Sequence, residues 1–406
     1  MALLGLAGIF RACEKVERKI SAHEAWRLIR AAAHPLASKK LSVDGVANAF
    51  VSKSILAPIS LPPFDNSAVD GYALGRVGEV GDTFQVVATI GAGQCFQGTI
   101  DNGQACRIMT GAKIPGGTRA VAMQERVESV GAEIILKAPL AASENIRRAG
   151  EDVAAGTVVS TKGTRIGPRQ IALLNALGID AVDVFEQPTA AIISTGSELA
   201  DPGQVLKEGQ VYYCTGPMIK SLCHSVGVRV TSSVRVDDDE NIIIYALNAV
   251  SSSDIIIMVG GMADGIYDHG RKAFAKFGVE PIFFEGKWRP GKPLFFGKRD
   301  NSLIFGLPGN PVAAFVMFKI FIEPAIASLS AGDGVLHWKK AKAAFMTPKP
   351  SEISQFQRGR LANGMVELLS AQGSHQLFSL SQANTIVWIE PNSANIDEVL
   401  YLPLEP

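Results

Sequence analysis

No sign of charge dominates this chain of 406 residues, in which 39 lysines and arginines balance 39 aspartates and glutamates. A balanced chain has no overall field to draw it to nucleic acid or an anionic membrane, so any anion site must be built locally. Cysteine is scarce. The five, at 13, 95, 106, 214 and 223, are odd in number and never fall in a CxxC spacing, which argues against a disulfide or zinc framework and for reduced thiols in a cytoplasm. Long apolar runs are missing too. The nearest approach, 312–326, is interrupted by Lys319, Glu323 and Pro324, whereas a membrane span needs roughly 18 unbroken apolar residues. The apolar start, 1–10, has neither a basic flank nor a small-residue cleavage site, so it reads as a tail or packing segment and not as a secretory signal.

What is present is length enough for three or four domains. Ser21 with Glu24 forms a capping-box pair that predicts a helix to about Ala33, and a second helix is expected over 43–51. The stretch from Leu61 to Ala73, LPPFDNSAVDGYA, has prolines that block helix and polar residues without an amphipathic period. From 83 to 136 short β-branched runs alternate with glycine turns, which predicts a small β domain. A helix over 168–177 starts on proline and stops at Gly178. Strands at 190–193, 228–236 and 255–259 then alternate with helices at 217–226 and 241–251, the order of a doubly wound parallel sheet. Past Gly332 short strands near 365–369, 385–389 and 399–402 predict a second β module, which carries Arg358 and the Gln372-Gly373-Ser374-His375 turn.

The stretch 254–268, DIIIMVGGMADGIYD, is central to that sheet. Its apolar run lacks polar alternation, as a strand covered on both faces should. Gly260 and Gly261 permit a tight turn, and the acids Asp264 and Asp268 follow at the carboxyl end, where open α/β sheets bind ligands. Three other strands end alike: one on Ser194-Thr195-Gly196-Ser197-Glu198, one on the Arg289-Pro290-Gly291-Lys292-Pro293 turn, one on Leu307-Pro308-Gly309-Asn310-Pro311. In the last, Asn310 is a natural N-cap and Pro311 a natural first helical residue, so the helix would aim free N–H groups at an anion.

Glu198, Asp237, Asp238, Asp264 and Asp268 are acids on separate strand ends, and gathered carboxylates repel one another unless a cation intervenes. Oxygen-only ligands favour Mg²⁺ or a similar hard ion. Taken singly, the run Asp237 to Asp239 reads equally well as the cap of the next helix. Lys292, framed by residues with little backbone freedom, is positioned to meet an oxyanion. Arg271 adds charge or faces solvent. His224 and His269 have no histidine at helical spacing and are poor metal candidates.

The segments PPFDNSAVDGYA, RIMTGAKIP, RRAGEDVAAG, STGSEL, VGGMADGIYD, RPGKP and GLPGNP, in this order, resemble the molybdopterin molybdenumtransferases, a family that includes the E domain of gephyrin. The resemblance spans nearly the whole chain. It implies a multidomain α/β plus β fold: a linker domain from 13–62 with 151–187, an inserted β domain over 63–150, a doubly wound, mostly parallel molybdopterin-binding domain over 188–331, and a barrel-like β domain over 335–406. It also implies a homodimer whose site lies between subunits, and transient contact with other cofactor-synthesis proteins or recipient molybdoenzymes. The implied reaction inserts molybdate into adenylylated molybdopterin with Mg²⁺-dependent release of AMP.

By matching motif, the resemblance gives catalytic roles to Asp65, Asp152, Asp268 and Lys292, and metal ligation to Glu198, Asp237 and Asp268. Substrate-binding positions are Thr110, Ser194, Thr195, Gly260, Gly261, Arg289, Pro308, Asn310 and Pro311, with Arg358 and Ser374 in the C-terminal module. The chain departs from the family pattern where Ser197 replaces an acid, Met262-Ala263-Asp264 a valine-serine-valine run, Arg271 and Arg289 a lysine, and Cys214-Thr215-Gly216 an Asp-Ser/Thr-Asn turn. Those departures keep a rival open, a catalytically weak relative that binds cofactor or a partner as carrier or scaffold. A generic nucleotide-binding α/β protein is a third reading, but it leaves PPFDNSAVDGYA without a purpose.

Overall fold

The computed structural model describes residues 17–262, 269–330, 334–346 and 349–404. Contacts divide the chain into two units, one of 1–39, 48–52 and 184–406, the other of 40–47 and 53–183.

The larger unit is built on a seven-stranded sheet. Its strands in chain order are β1 (Glu17–Ile20), β2 (Thr189–Thr195), β3 (Arg229–Val236), β4 (Ile255–Val259), β5 (Glu280–Gly286), β6 (Phe295–Arg299) and β7 (Ser302–Leu307). They lie in the order β1-β5-β6-β7-β4-β2-β3. Every pairing is parallel except the two made by β6, which runs antiparallel between β5 and β7. The expectation of a mostly parallel, doubly wound sheet therefore holds. β1 is an added edge strand that the sequence pattern did not announce.

Why β2 and β4 lack polar alternation is visible in what each face touches. Ala190, Ile192, Ile255, Ile257 and Val259 face one core with Ile219, Cys223 and the apolar side of the helix Pro311–Leu329. Ala191, Ile193, Ile256 and Met258 face the other, against Ile243, Leu247 and Phe274. A strand alternates its side chains between faces, so one buried on both must be apolar throughout. The helix Pro311–Leu329 is long and apolar enough to cross a membrane, yet 83% of its apolar window is buried in the protein. It is a core helix. Its middle turn, Phe318–Ile322, is a π segment immediately before Glu323 and Pro324; proline lacks the N–H that an unbroken α-helix would use there.

In the same unit, five strands of 339–403 close on themselves, because Ser354–Ala362 pairs with both Met365–Leu368 and Thr385–Ile389. The short strand Trp288–Arg289 adds to the outside of this barrel. The smaller unit holds a six-stranded sheet, ordered Ala120–Met123, Gly71–Leu74, Gln104–Ile108, Thr83–Ile90, Glu133–Leu136, Val127–Val130.

Three local expectations need correction. The helix expected over 43–51 shrinks to a single turn, Val43–Gly45, since Ser42 makes no cap bond and Asn48 takes a left-handed φ of 67°. Ser21 caps the helix Ala22–Ala32 through the Glu24 N–H at 3.2 Å, but Glu24 turns its carboxylate to Arg27 instead of completing the box. Asn310 occupies the N-cap position without a side-chain bond.

Candidate active site

At the carboxyl edge of β2, β4 and β7 lies a cavity of about 370 Å³ whose lining includes Ser194, Thr195, Glu198, Cys214, Asn310 and Pro311. Five positions expected from the sequence thus meet in one place. The Thr195 hydroxyl is the informative group. Its residue is only 6% exposed, and Oγ1 has no hydrogen-bond partner, a condition that costs roughly 1–3 kcal/mol unless something fills it.

The glycines explain how the backbone comes so close. Gly260 has φ 92°, and a Cβ there would sit 2.7 Å from the Thr195 carbonyl oxygen and 2.8 Å from its hydroxyl. Gly261 also takes a left-handed φ, 64°. Gly260 donates to the Leu307 carbonyl at 3.0 Å, which ties the turn after β4 to the end of β7. On the far wall begins the helix Thr215–Ser225, whose first side chain, Thr215, donates to the Gly309 carbonyl at 3.3 Å.

Other expected residues stand differently. Val236 pairs with Thr195 at the end of β3, so Asp237 follows at the same sheet edge. Asp239 caps the next helix through the N–H groups of Asn241 and Ile242, which makes the third acid of that run structural. Asp264 and Asp268 lie outside the described residues, and among the described residues no three His, Cys, Asp or Glu side chains gather as a metal site. Lys292 is paired with Glu285 at 3.2 Å. Arg289 donates to Gln355 at 2.5 Å. Neither lines the cavity. Arg271 rests 4.0 Å above the Phe284 ring.

Arg358 is 1% exposed. It spends its donors on Ser379 Oγ at 3.1 Å and on the Ala371 and Gly373 carbonyls at 2.5 and 3.1 Å, and burial pushes its pKa down. It thereby shapes the 371–373 turn, and the next residue, Ser374, accepts from the Val312 N–H at 3.3 Å. The helix that begins beside the cavity is thus tied to the barrel.

In the smaller unit three of the motif segments converge. Leu61 bridges Val153, and Asn66 bridges Lys113. Asp65 accepts from Arg148 at 2.6 Å and from the Ala149 N–H at 2.8 Å, and first that amide, then the guanidinium, holds its carboxyl below the usual range. Thr110 gives both its N–H and its hydroxyl to Asp70 at 2.7 Å, which lowers the Asp70 pKa in the same way. Asp152 donates its N–H to the Leu61 carbonyl at 3.1 Å and its side-chain-bearing residue is exposed. Asp70 and Tyr213 were missed as participants; the first stands inside PPFDNSAVDGYA, but an aromatic residue beside a glycine-bearing turn carries no sequence signal of its cavity.

An α/β sheet with a cavity lined by hydroxyl-bearing residues at its carboxyl edge defines a ligand-binding domain of the open α/β type. Residues 191–328 match the family described as probable molybdopterin binding domain. Residues 20–178 match the MoeA N-terminal region (domain I and II), and 340–399 the MoeA C-terminal region (domain IV). The chain belongs to the molybdopterin molybdenumtransferase family and is an enzyme of this type. It is 35% identical over 386 residues to the molybdopterin molybdenumtransferase of Haemophilus influenzae, covering 92% of this chain and 94% of that one. Over 293 residues it is 35% identical to the Staphylococcus aureus (strain MRSA252) molybdopterin molybdenumtransferase, 70% of each chain. The molybdopterin biosynthesis moeA protein of Pyrococcus horikoshii superposes with a TM-score of 0.79 at 28% identity, over 95% of this chain and 99% of that one.

Proposed function

We propose that the cavity at the ends of β2, β4 and β7 binds adenylylated molybdopterin and that the enzyme inserts molybdate into it with release of AMP. The observation that carries this reading is the cavity at the carboxyl edge of the sheet, lined by Ser194, Thr195, Glu198, Thr215 and Asn310. Hydroxyl-bearing residues at such an edge suit a ligand rich in acceptor oxygens, as phosphate and molybdate are. Gly309, in the lining, brings bare backbone to the cavity without a side chain to fill it.

Carboxylates alone would repel these substrates. Mg²⁺ would be held by Glu198 and Asp237, together with Asp268, in the manner usual for this ion, which keeps waters and shares oxygens with substrate phosphates in place of a full protein cage. When bound it supplies charge neutralisation at the phosphoanhydride. The protein's own part is to orient: Ser194 presents its hydroxyl from the end of β2, the helix Thr215–Ser225 begins at the cavity wall, and Asn310 and Pro311 complete the lining. The proposal includes a homodimer, which light scattering on the purified chain tests.

A second reading, pterin binding without turnover, is favoured by one observation: Lys292 and Arg289, the two cations of the RPGKP turn, are already paired with Glu285 and Gln355. Incubation with adenylylated molybdopterin, molybdate and Mg²⁺ separates the readings. Metal-dependent AMP release is the expected result; stoichiometric pterin binding with no AMP would establish the second reading instead.

A further inference from the structure

We propose that Tyr213 is a positioning residue that makes Ser194 a donor to the bound oxyanion, an inference that rests on the binding reading just given. Ser194 is 1% exposed and lines the cavity. Its hydroxyl oxygen accepts the Tyr213 phenol proton at 3.0 Å. A hydroxyl carries one proton and accepting leaves that proton to give away, so the phenol fixes the direction of the Ser194 hydrogen bond toward the cavity. Thr195 beside it is also without an acceptor. The two hydroxyls leave the strand on opposite faces, so the oxyanion donor is Ser194, and a bond that accepts while donating is strengthened by the chain it belongs to.

Three features hold the phenol in place. The Tyr213 N–H donates to the Ala200 carbonyl at 2.8 Å. The Arg235 guanidinium stands 5.9 Å from the ring centroid and is itself held by the Leu199 carbonyl at 3.0 Å and by Asp201 at 3.2 Å. Finally, the ring edge lies over the first turn of the helix Thr215–Ser225. A Cβ on Gly216 would be 1.6 Å from the Tyr213 hydroxyl oxygen and 2.8 Å from Ser194 Oγ. Gly216 is therefore required by the phenol.

Tyr213→Phe is the decisive variant, because phenylalanine keeps the ring over Gly216 and deletes only the donor. Dissociation constants are measured for adenylylated molybdopterin and, separately, for inorganic pyrophosphate, in wild type, Tyr213→Phe, Ser194→Ala and the double variant, with a thermal melt of each. We expect each single change to weaken both ligands about tenfold, and the double change to weaken them no further, since the two hydroxyls act as one unit. Wild-type affinities in Tyr213→Phe, or losses that multiply in the double variant, would overturn the inference and reduce Tyr213 to packing. If wild type binds pyrophosphate but not the pterin, and Tyr213→Phe still weakens pyrophosphate, the pterin reading fails and the hydroxyl relay stands. If wild type binds neither, both fall.

Discussion

The indole N–H of Trp26 reaches the carbonyl of Ile320 at 2.8 Å, and the residue four places on from that carbonyl is Pro324, which has no N–H to offer. The bond joins the helix Ala22–Ala32 to the core helix at its π turn. A buried carbonyl deprived of its helical donor finds one on another helix, as the accounting of backbone groups requires. Trp26→Phe keeps an aromatic in the cluster with Phe321 and Trp388 but strands the carbonyl. We expect a loss of about 2 kcal/mol, read as a lower urea midpoint at unchanged slope; an unchanged midpoint would show that the Ile320 carbonyl is satisfied without Trp26.

Arg358 gives a larger effect. Removing the guanidinium leaves the carbonyls of Ala371 and Gly373 and the Ser379 hydroxyl without their donor. Arg358→Met should cost roughly 3 kcal/mol, and Arg358→Lys should recover little of it, since an ammonium cannot span the same fork. Because Ser374 follows this turn and accepts from Val312, the variants should also weaken binding at the cavity. Full affinity in a destabilised Arg358→Met protein would separate the turn from the site.

Much of the α/β unit was legible in the sequence because its signals are local. Apolar strands buried on both faces, glycines at left-handed φ after β4, and proline at the start of the core helix each write their cause into a few adjacent residues. Ser194, Thr195, Glu198, Asn310 and Pro311 could be expected together because strand ends in an open sheet share one edge. The partners of Lys292 and Arg289 could not. Glu285 lies on the strand that precedes the turn and Gln355 in the barrel, so whether these cations are free depends on tertiary placement and on no spacing. The Tyr213 phenol is illegible for the same reason, as is the burial of Arg358.

The Asp65 carboxylate should leave a signature in acid. Its pKa is depressed in the folded protein by the Ala149 N–H and by Arg148, whereas the unfolded chain has an ordinary value near 3.9. Stability from this group is thus fully present above about pH 4 and is lost as pH falls through the lower, folded value. Asp65→Asn removes the charge at every pH. Thermal midpoints of wild type and variant should differ at pH 6 and converge as the pH drops below 4; a constant gap across the range would mean that the ion pair contributes nothing beyond the hydrogen bond an amide can also make.

Lys292 and Arg271 make a paired test of the RPGKP turn. Lys292 has its charge at a turn fixed by the Gly286 and Leu294 N–H groups, which both donate to the Lys292 carbonyl, at 3.1 and 2.9 Å. Arg271 lies over an aromatic ring in the sheet. If Lys292 exchanges Glu285 for the oxyanion in the proposed reaction, Lys292→Ala should raise the KM for molybdate about tenfold, the loss of one charged hydrogen bond, and Arg271→Ala should raise it by less than threefold. Equal losses would show that the fixed turn confers no advantage on its lysine.

Thiol chemistry reports on the cavity without any substitution. Cys95 and Cys214 are exposed, while Cys106 and Cys223 are buried, and burial pushes the Cys223 thiol up to about 12. Only thiolate reacts, so a maleimide at pH 7.5 should label Cys214 and Cys95 within minutes and leave Cys106 and Cys223 unmodified until the protein unfolds. Cys214 lines the cavity, and Cys95 belongs to the other unit. Saturating adenylylated molybdopterin should therefore slow labelling at Cys214 at least tenfold while Cys95 reacts at its former rate, each followed by peptide mass spectrometry. Equal rates at Cys214 with and without the pterin, under conditions where binding is independently measured, would place the ligand away from the helix that begins at Thr215.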